Sequence, residues 1–199
     1  MNPSDNASYY QGTPTQASLI MLTGLAISGI LNWFYHVVMG WLLPSEQYGV
    51  FGVSLSFINI LLISISSGFP ILVKKFISEE SLTLADQHKV VKTSLLGNVM
   101  IAILATTIFG LAFVFLLQTN LTTYSSMIYL ICAILIAFSI ELVFRGLLEG
   151  FFKFEVSAIS FVIEYTIKVI VAVLLVLVEG KAFYGLLGYL IGIISGMMF

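Results

Sequence analysis

The sequence predicts an all-α membrane protein with six transmembrane helices. Hydrophobic residues make up 59% of the 199-residue chain and charged residues only 9%. With a mean hydropathy of +1.08, there is too little polar surface to enclose a water-soluble core. The apolar residues gather into six runs, each long enough to cross a hydrocarbon layer of ~30 Å. Inside that layer the backbone must satisfy its own hydrogen bonds, so each run is read as a helix.

Residues 1–17, MNPSDNASYYQGTPTQA, are polar and lack the basic start of a signal peptide, and the apolar run after them is too long for a signal core. They are read as a disordered tail, and residues 18–199 as one transmembrane unit. Its spans fall at about 18–42, 48–71, 91–117, 126–147, 156–178 and 182–199. The breaks "LPSEQ", "KKFISEESLTLADQHK", "QTNLTTY", "RGLLEGFFKFE" and "EGK" are too short to fold separately. Within the second break, "SLTLADQHKVVKT" interleaves Leu82, Leu84 and Ala85 with charges, a pattern that suits either a short surface helix or a solvated loop. The last span runs into "GIISGMMF" with no polar flank, so the chain is expected to be an N-terminal fragment.

With a cytoplasmic N-terminus, Lys74, Lys75, Lys89, Lys92, Arg145 and Lys153 fall inside and Lys181 alone outside, which sets the expected orientation. The net charge of −2 offers no basic surface for nucleic acid. Cys132 is the single cysteine, so no disulfide framework or cysteine metal cluster is available, and no cofactor is expected. Glycosylation patterns at Asn6 and Asn120 are short enough to arise by chance and carry no weight.

Polar and small residues form stripes within the spans. Gly24, Ser28, Asn32, His36 and Gly40 follow steps of four down the first, and Ser94, Asn98, Ala102, Thr106 and Gly110 down the third. The second carries Gly52, Ser56, Asn59 and Ser66 on one side. Such faces turn from lipid, either to pack helices closely or to line a cavity. For Asn32 and Asn59 both readings stand. His36, near the outer end of its helix, suits an interfacial site better than a proton-coupling one. Gly185, Gly188, Gly192 and Gly196 give the last span a packing face.

The fifth span holds two charges. Counting from Val156, Glu164 lies roughly 12 Å and Lys168 roughly 18 Å along the axis, on either side of the midplane. They are i,i+4 neighbours in the favourable order for a helical ion pair. A lone charge there would cost ~2.5–3.5 kcal/mol on the insertion scale, so the pair should face protein or a water-filled cavity. Glu141 and Arg145 repeat the spacing at the cytoplasmic end of the fourth span. There a structural ion pair is expected, with snorkelling to the interface possible.

The stretch "LNWFYHVVMGWLLPSEQYGVFGVSLSFINILLISISSGFPILVKKFISE" resembles the opening of polysaccharide (Wzx-type) flippases of the multidrug/oligosaccharidyl-lipid/polysaccharide exporter superfamily. The shared features are the short "LPSEQYG" loop, a second span that opens with "YG" and closes in "SG", and the basic stretch that follows. "FRGLLEGFFKFEVSAISFVIEYTIKV" is similar to the family's fourth-to-fifth span connection. The resemblance implies a MATE-like transporter fold of two six-helix lobes around a central cavity, with this chain as the N-terminal lobe. It also implies a flippase in the cell membrane, partnered by a second lobe, membrane lipids and a polyprenyl-diphosphate-linked oligosaccharide. Cavity candidates are then Glu164, Lys168, Asn32, Asn59, Asn98 and His36, with Lys168 meeting the diphosphate.

Two other functions compete. An ion-coupled drug exporter of the same superfamily would share the fold and favour an acidic cavity. A membrane enzyme of glycan assembly would be expected to carry catalytic groups in a substantial loop, but both outward loops between the first four spans are short and hold only Glu46 as a charge. The flippase, which makes and breaks no covalent bond, is the preferred reading.

Overall fold

A computed structural model describes residues 14–79, 83–117 and 121–199. The expected tail up to residue 13 and the glycosylation patterns at Asn6 and Asn120 lie outside the described residues. Seven helices follow one another: α1 (Pro14–Leu42), α2 (Ser45–Ser66), α3 (Phe69–Ser78), α4 (Leu84–Leu117), α5 (Leu121–Gly150), α6 (Phe154–Glu179) and α7 (Ala182–Met197). No strand occurs among the described residues. Five stretches are long and apolar enough to cross a membrane, with α2 and α3 counted as one, and α7 is a shorter apolar helix. The chain is thus an all-α membrane protein of six helices, the second broken in two.

The break has a local cause. Gly68 adopts φ −114° and ψ −103°, Pro70 occupies the first turn of α3, and proline supplies no backbone N–H to continue the α2 ladder. The bend therefore falls inside the stretch that the sequence predicts as one straight span. α3 then lies along the end of α5. A Cβ added at Gly146 would stand 2.6 Å from the Pro70 carbonyl oxygen, and one at Gly150 would stand 2.8 Å from Ile77 Cβ.

"LADQHK" is neither a loop nor a separate surface helix. It forms the first turns of α4, which runs unbroken for 34 residues. Thr83 starts it: its hydroxyl donates to Asp86 Oδ2 at 2.6 Å and accepts from the Asp86 backbone N–H at 3.3 Å. At the far end of α6, Gly180 takes a left-handed φ of 62°, and its N–H closes on the Val176 carbonyl at 2.7 Å. α1 begins at Pro14, ahead of the expected residue 18, because proline's fixed φ and missing N–H suit a first helical turn.

α7 is the hub. A Cβ at Gly188 would meet Ala172 at 2.5 Å, one at Gly192 would meet Lys168 Cβ at 2.7 Å, and one at Gly185 would meet Phe51 at 3.0 Å. The glycine face thus brings α7 backbone-close to α6, as small residues do where lipid supplies no hydrophobic drive for association. Gly24 does the same for α1, with Ala158 Cβ of α6 at 2.8 Å from its added Cβ. The core fills the space between these helices with Tyr35, Met39, Phe51, Ile58, Ile134, Leu186 and Ile193. Large apolar side chains on the outside, Trp41 at 79% and Leu111 at 69% exposure among them, form the surface that a bilayer would cover.

Candidate functional site

The stripes sort themselves by helix. In α4, Ser94, Asn98, Ala102 and Thr106 are all buried, and Asn98 Nδ2 donates to the Ser139 carbonyl at 2.8 Å. Asn98 therefore belongs to the α4–α5 contact and not to the surroundings of Lys168. In α1, Gly24 and Ser28 are buried, while Asn32 and His36 are half-buried at the edge of the core. In α2 the polar side turns outward: Ser56 and Asn59 are exposed beside an open groove lined by Tyr48, Gly49, Gly52, Ser56, Phe57 and Ile60. Asn59 is thus set apart from the other candidates.

Lys168 is 0% exposed. Its ammonium donates to Asn32 Oδ1 at 2.7 Å. Three tyrosine rings surround it, with centroids at 3.8 Å (Tyr165), 4.6 Å (Tyr189) and 4.8 Å (Tyr35). The negative faces of such rings favour a cation that water no longer reaches. Each ring comes from a different helix, and Tyr35 is fixed by its hydroxyl, which donates to the Gly185 carbonyl at 3.0 Å. His36 sits edge-on to Tyr35 and Phe51, with centroids 5.6 and 6.4 Å away. The structure therefore gathers Lys168 and Asn32, with His36 on the next turn of α1.

The ion pair expected within α6 does not form. Glu164 Oε2 instead meets Arg145 Nη2 across the α5–α6 interface at 2.6 Å, and Glu141 Oε1 meets the same nitrogen at 2.7 Å. The Phe161 ring centroid lies 3.5 Å from the guanidinium carbon. Arg145 is buried and does not snorkel to an interface. Its direction explains this: a helical Cα–Cβ bond tilts toward the helix N-terminus, which for α5 leads away from the α5–α6 turn and along the hairpin. Glu164, on the antiparallel α6, tilts back toward that turn, so the two side chains converge. That geometry was the available signal for the missed contact. Among the described residues no carboxylate lies within ion-pairing distance of Lys168.

A third contact ties the helix ends together: Lys74 of α3 donates to Glu149 Oε2 at 2.8 Å, and Ser157 of α6 donates to Glu149 Oε1 at 3.3 Å. No cluster of three or more metal-ligating side chains occurs among the described residues.

Comparison with known proteins adds a family and one relative. The pattern of a family described as "Polysaccharide biosynthesis protein" matches residues 15–199. An uncharacterized membrane protein of Methanocaldococcus jannaschii is 28% identical over 183 residues, which cover 89% of this chain and 43% of that protein. The chain therefore spans less than half the length of this curated relative. No solved structure matches it.

Proposed function

This chain belongs to the polysaccharide biosynthesis protein family, the family of Wzx-type flippases, and we propose that it forms one lobe of a carrier for a polyprenyl-diphosphate-linked oligosaccharide. The carrier moves its cargo from the cytoplasmic to the outer leaflet of the cell membrane and catalyses no covalent step. The observation that most supports an anionic cargo is the environment of Lys168. Among the described residues both buried carboxylates contact Arg145, and the direct contacts of the Lys168 ammonium are an amide oxygen and three ring faces. A diphosphate supplies the missing counter-charge. A cationic drug would find the acids already occupied, which disfavours the exporter.

Lys168 lies under Asn32 and Tyr35 of α1, so cargo reaches it when α1 shifts relative to α6, and Asn32 and His36 mark the rim of that approach. On α2, an exposed Asn59 amide would be costly against lipid. This face therefore turns to a water-filled cavity or to the second lobe, which we take to be the chain's partner.

The reading is tested by deleting the gene. Fully assembled lipid-linked oligosaccharide is expected to accumulate on the cytoplasmic leaflet. A shortened or unpolymerised glycan would mark an assembly enzyme instead, and an intact surface polysaccharide would sink the proposal. The orientation has its own test, in a Cys132→Ser background. Cysteines at Glu46 and Lys181, both exposed, should label from outside intact cells, whereas one at the exposed Ala85 should not. Labelling at Ala85 would invert the topology.

A further inference from the structure

We propose that Glu141, Arg145 and Glu164 form a binding site for one proton, shared between the two carboxyl groups and built into the contact of α5, α6 and α7. The inference is independent of what the protein carries.

The charge count comes first. Two carboxylates face one guanidinium, and all three side chains are at most 5% exposed. With both acids ionised, the cluster would carry a net negative charge inside the membrane, where an unbalanced charge is costly. The geometry repeats the point. Both carboxyl groups converge on Arg145 Nη2, at 2.7 and 2.6 Å, and do not take separate edges of the guanidinium. Two carboxylates repel; a carboxylic acid and a carboxylate form a short charge-assisted O–H···O bond. Glu141 Oε1 and Oε2, Glu164 Oε1 and Arg145 Nε and Nη1 are buried without a hydrogen-bond partner among the described residues. One proton thus neutralises the cluster and lets the two acids share a hydrogen bond.

Among the described residues no other charged side chain lies within ion-pairing distance of the cluster. Lys168 lies one turn along α6, but its ammonium is directed to Asn32 and the three rings. From α4, α5 receives the uncharged Asn98. α7 closes the site: a Cβ added at Gly196 would stand 2.7 Å from Glu141 Oε1 and 3.1 Å from Glu164 Cβ. That close cover excludes the bulk water that would otherwise solvate two ionised acids.

Infrared spectroscopy of the full-length protein in bilayers, with 13C-labelled glutamate, tests the site. At neutral pH the wild type should show a protonated-carboxyl C=O band. Glu141→Gln and Glu164→Gln should each abolish it, because the remaining carboxylate then balances Arg145 alone, and each should unfold close to the wild-type midpoint. The double variant leaves Arg145 without a counter-ion and should unfold well below it. A wild type without the band overturns the proposal, as does a band that survives both single substitutions. Single variants as unstable as the double one would mean that both acids are ionised, and a sodium-dependent midpoint without the band would assign a metal cation instead. Should a variant fail to accumulate, the wild-type spectrum still decides.

Discussion

Replacing Lys168 with methionine in the full-length protein is expected to abolish movement of the lipid-linked oligosaccharide while membrane levels stay near wild type. Methionine fills the same volume, and its thioether sits well among Tyr35, Tyr165 and Tyr189. What it removes is the only buried cation that no carboxylate neutralises among the described residues. Losing a charge-assisted contact of ~3 kcal/mol corresponds to a rate lower by more than a hundredfold. Lys168→Arg should keep part of the activity, because charge is retained while the planar guanidinium fits the aromatic box less well. Asn32→Ala should fall between, since the ammonium loses its oxygen but keeps its rings. Flipping assays paired with quantified membrane levels check all three. Undiminished transport by Lys168→Met would remove the lysine from the mechanism, and a collapse in level without change in specific activity would make it structural.

Replacing Arg145 is expected to act on stability. Arg145→Met leaves Glu141 and Glu164 facing each other without a cation, at a cost of about 3–5 kcal/mol for breaking a buried pair. Most of the protein should then be lost from the membrane or unfold at far lower temperature in detergent. Adding Glu141→Leu and Glu164→Met should recover much of the loss, because apolar side chains of similar volume leave no buried charge. An Arg145→Met protein as stable as wild type would show that the cluster contributes nothing to holding α5, α6 and α7 together. The two sets of variants thus separate two neighbouring groups of charges at the α5–α6 contact, Lys168 by transport and Arg145 by stability.

The sequence made legible whatever repeats along a single helix. The α7 glycines and the α4 ladder from Ser94 to Thr106 are both buried where their spacing places them, because a step of three or four residues returns to the same face. The burial of Lys168 was legible for the same reason. Its partner was not. The i,i+4 rule offers only partners on the same helix, and by that rule Glu164 and Lys168 belong together. The pairing observed for Glu164 depends on how the α5–α6 hairpin closes and on where each side chain leans. The tyrosine box escaped notice because Tyr35, Tyr165 and Tyr189 are far apart in the chain, and tyrosines in a membrane protein are ordinarily read as interfacial anchors. The outward turn of Asn59 was hidden too: a small-polar stripe does not say whether its neighbour lies in the same lobe.

α1 packs chiefly on α6 and hardly on α2, its successor in the chain. Its key polar bond, from Lys168 to Asn32, joins residues 136 apart. At ~5–20 residues per second of synthesis, α1 would wait on the order of ten seconds in the bilayer before α6 emerges from the ribosome. Throughout that interval Gly24 and Asn32 lack their partners on α6. The nascent chain therefore passes through a stage in which its first helix is inserted but unassembled, open to membrane chaperones or to quality-control proteases. Early α1 substitutions that add polarity should reduce yield during biogenesis even where the finished protein would accommodate them.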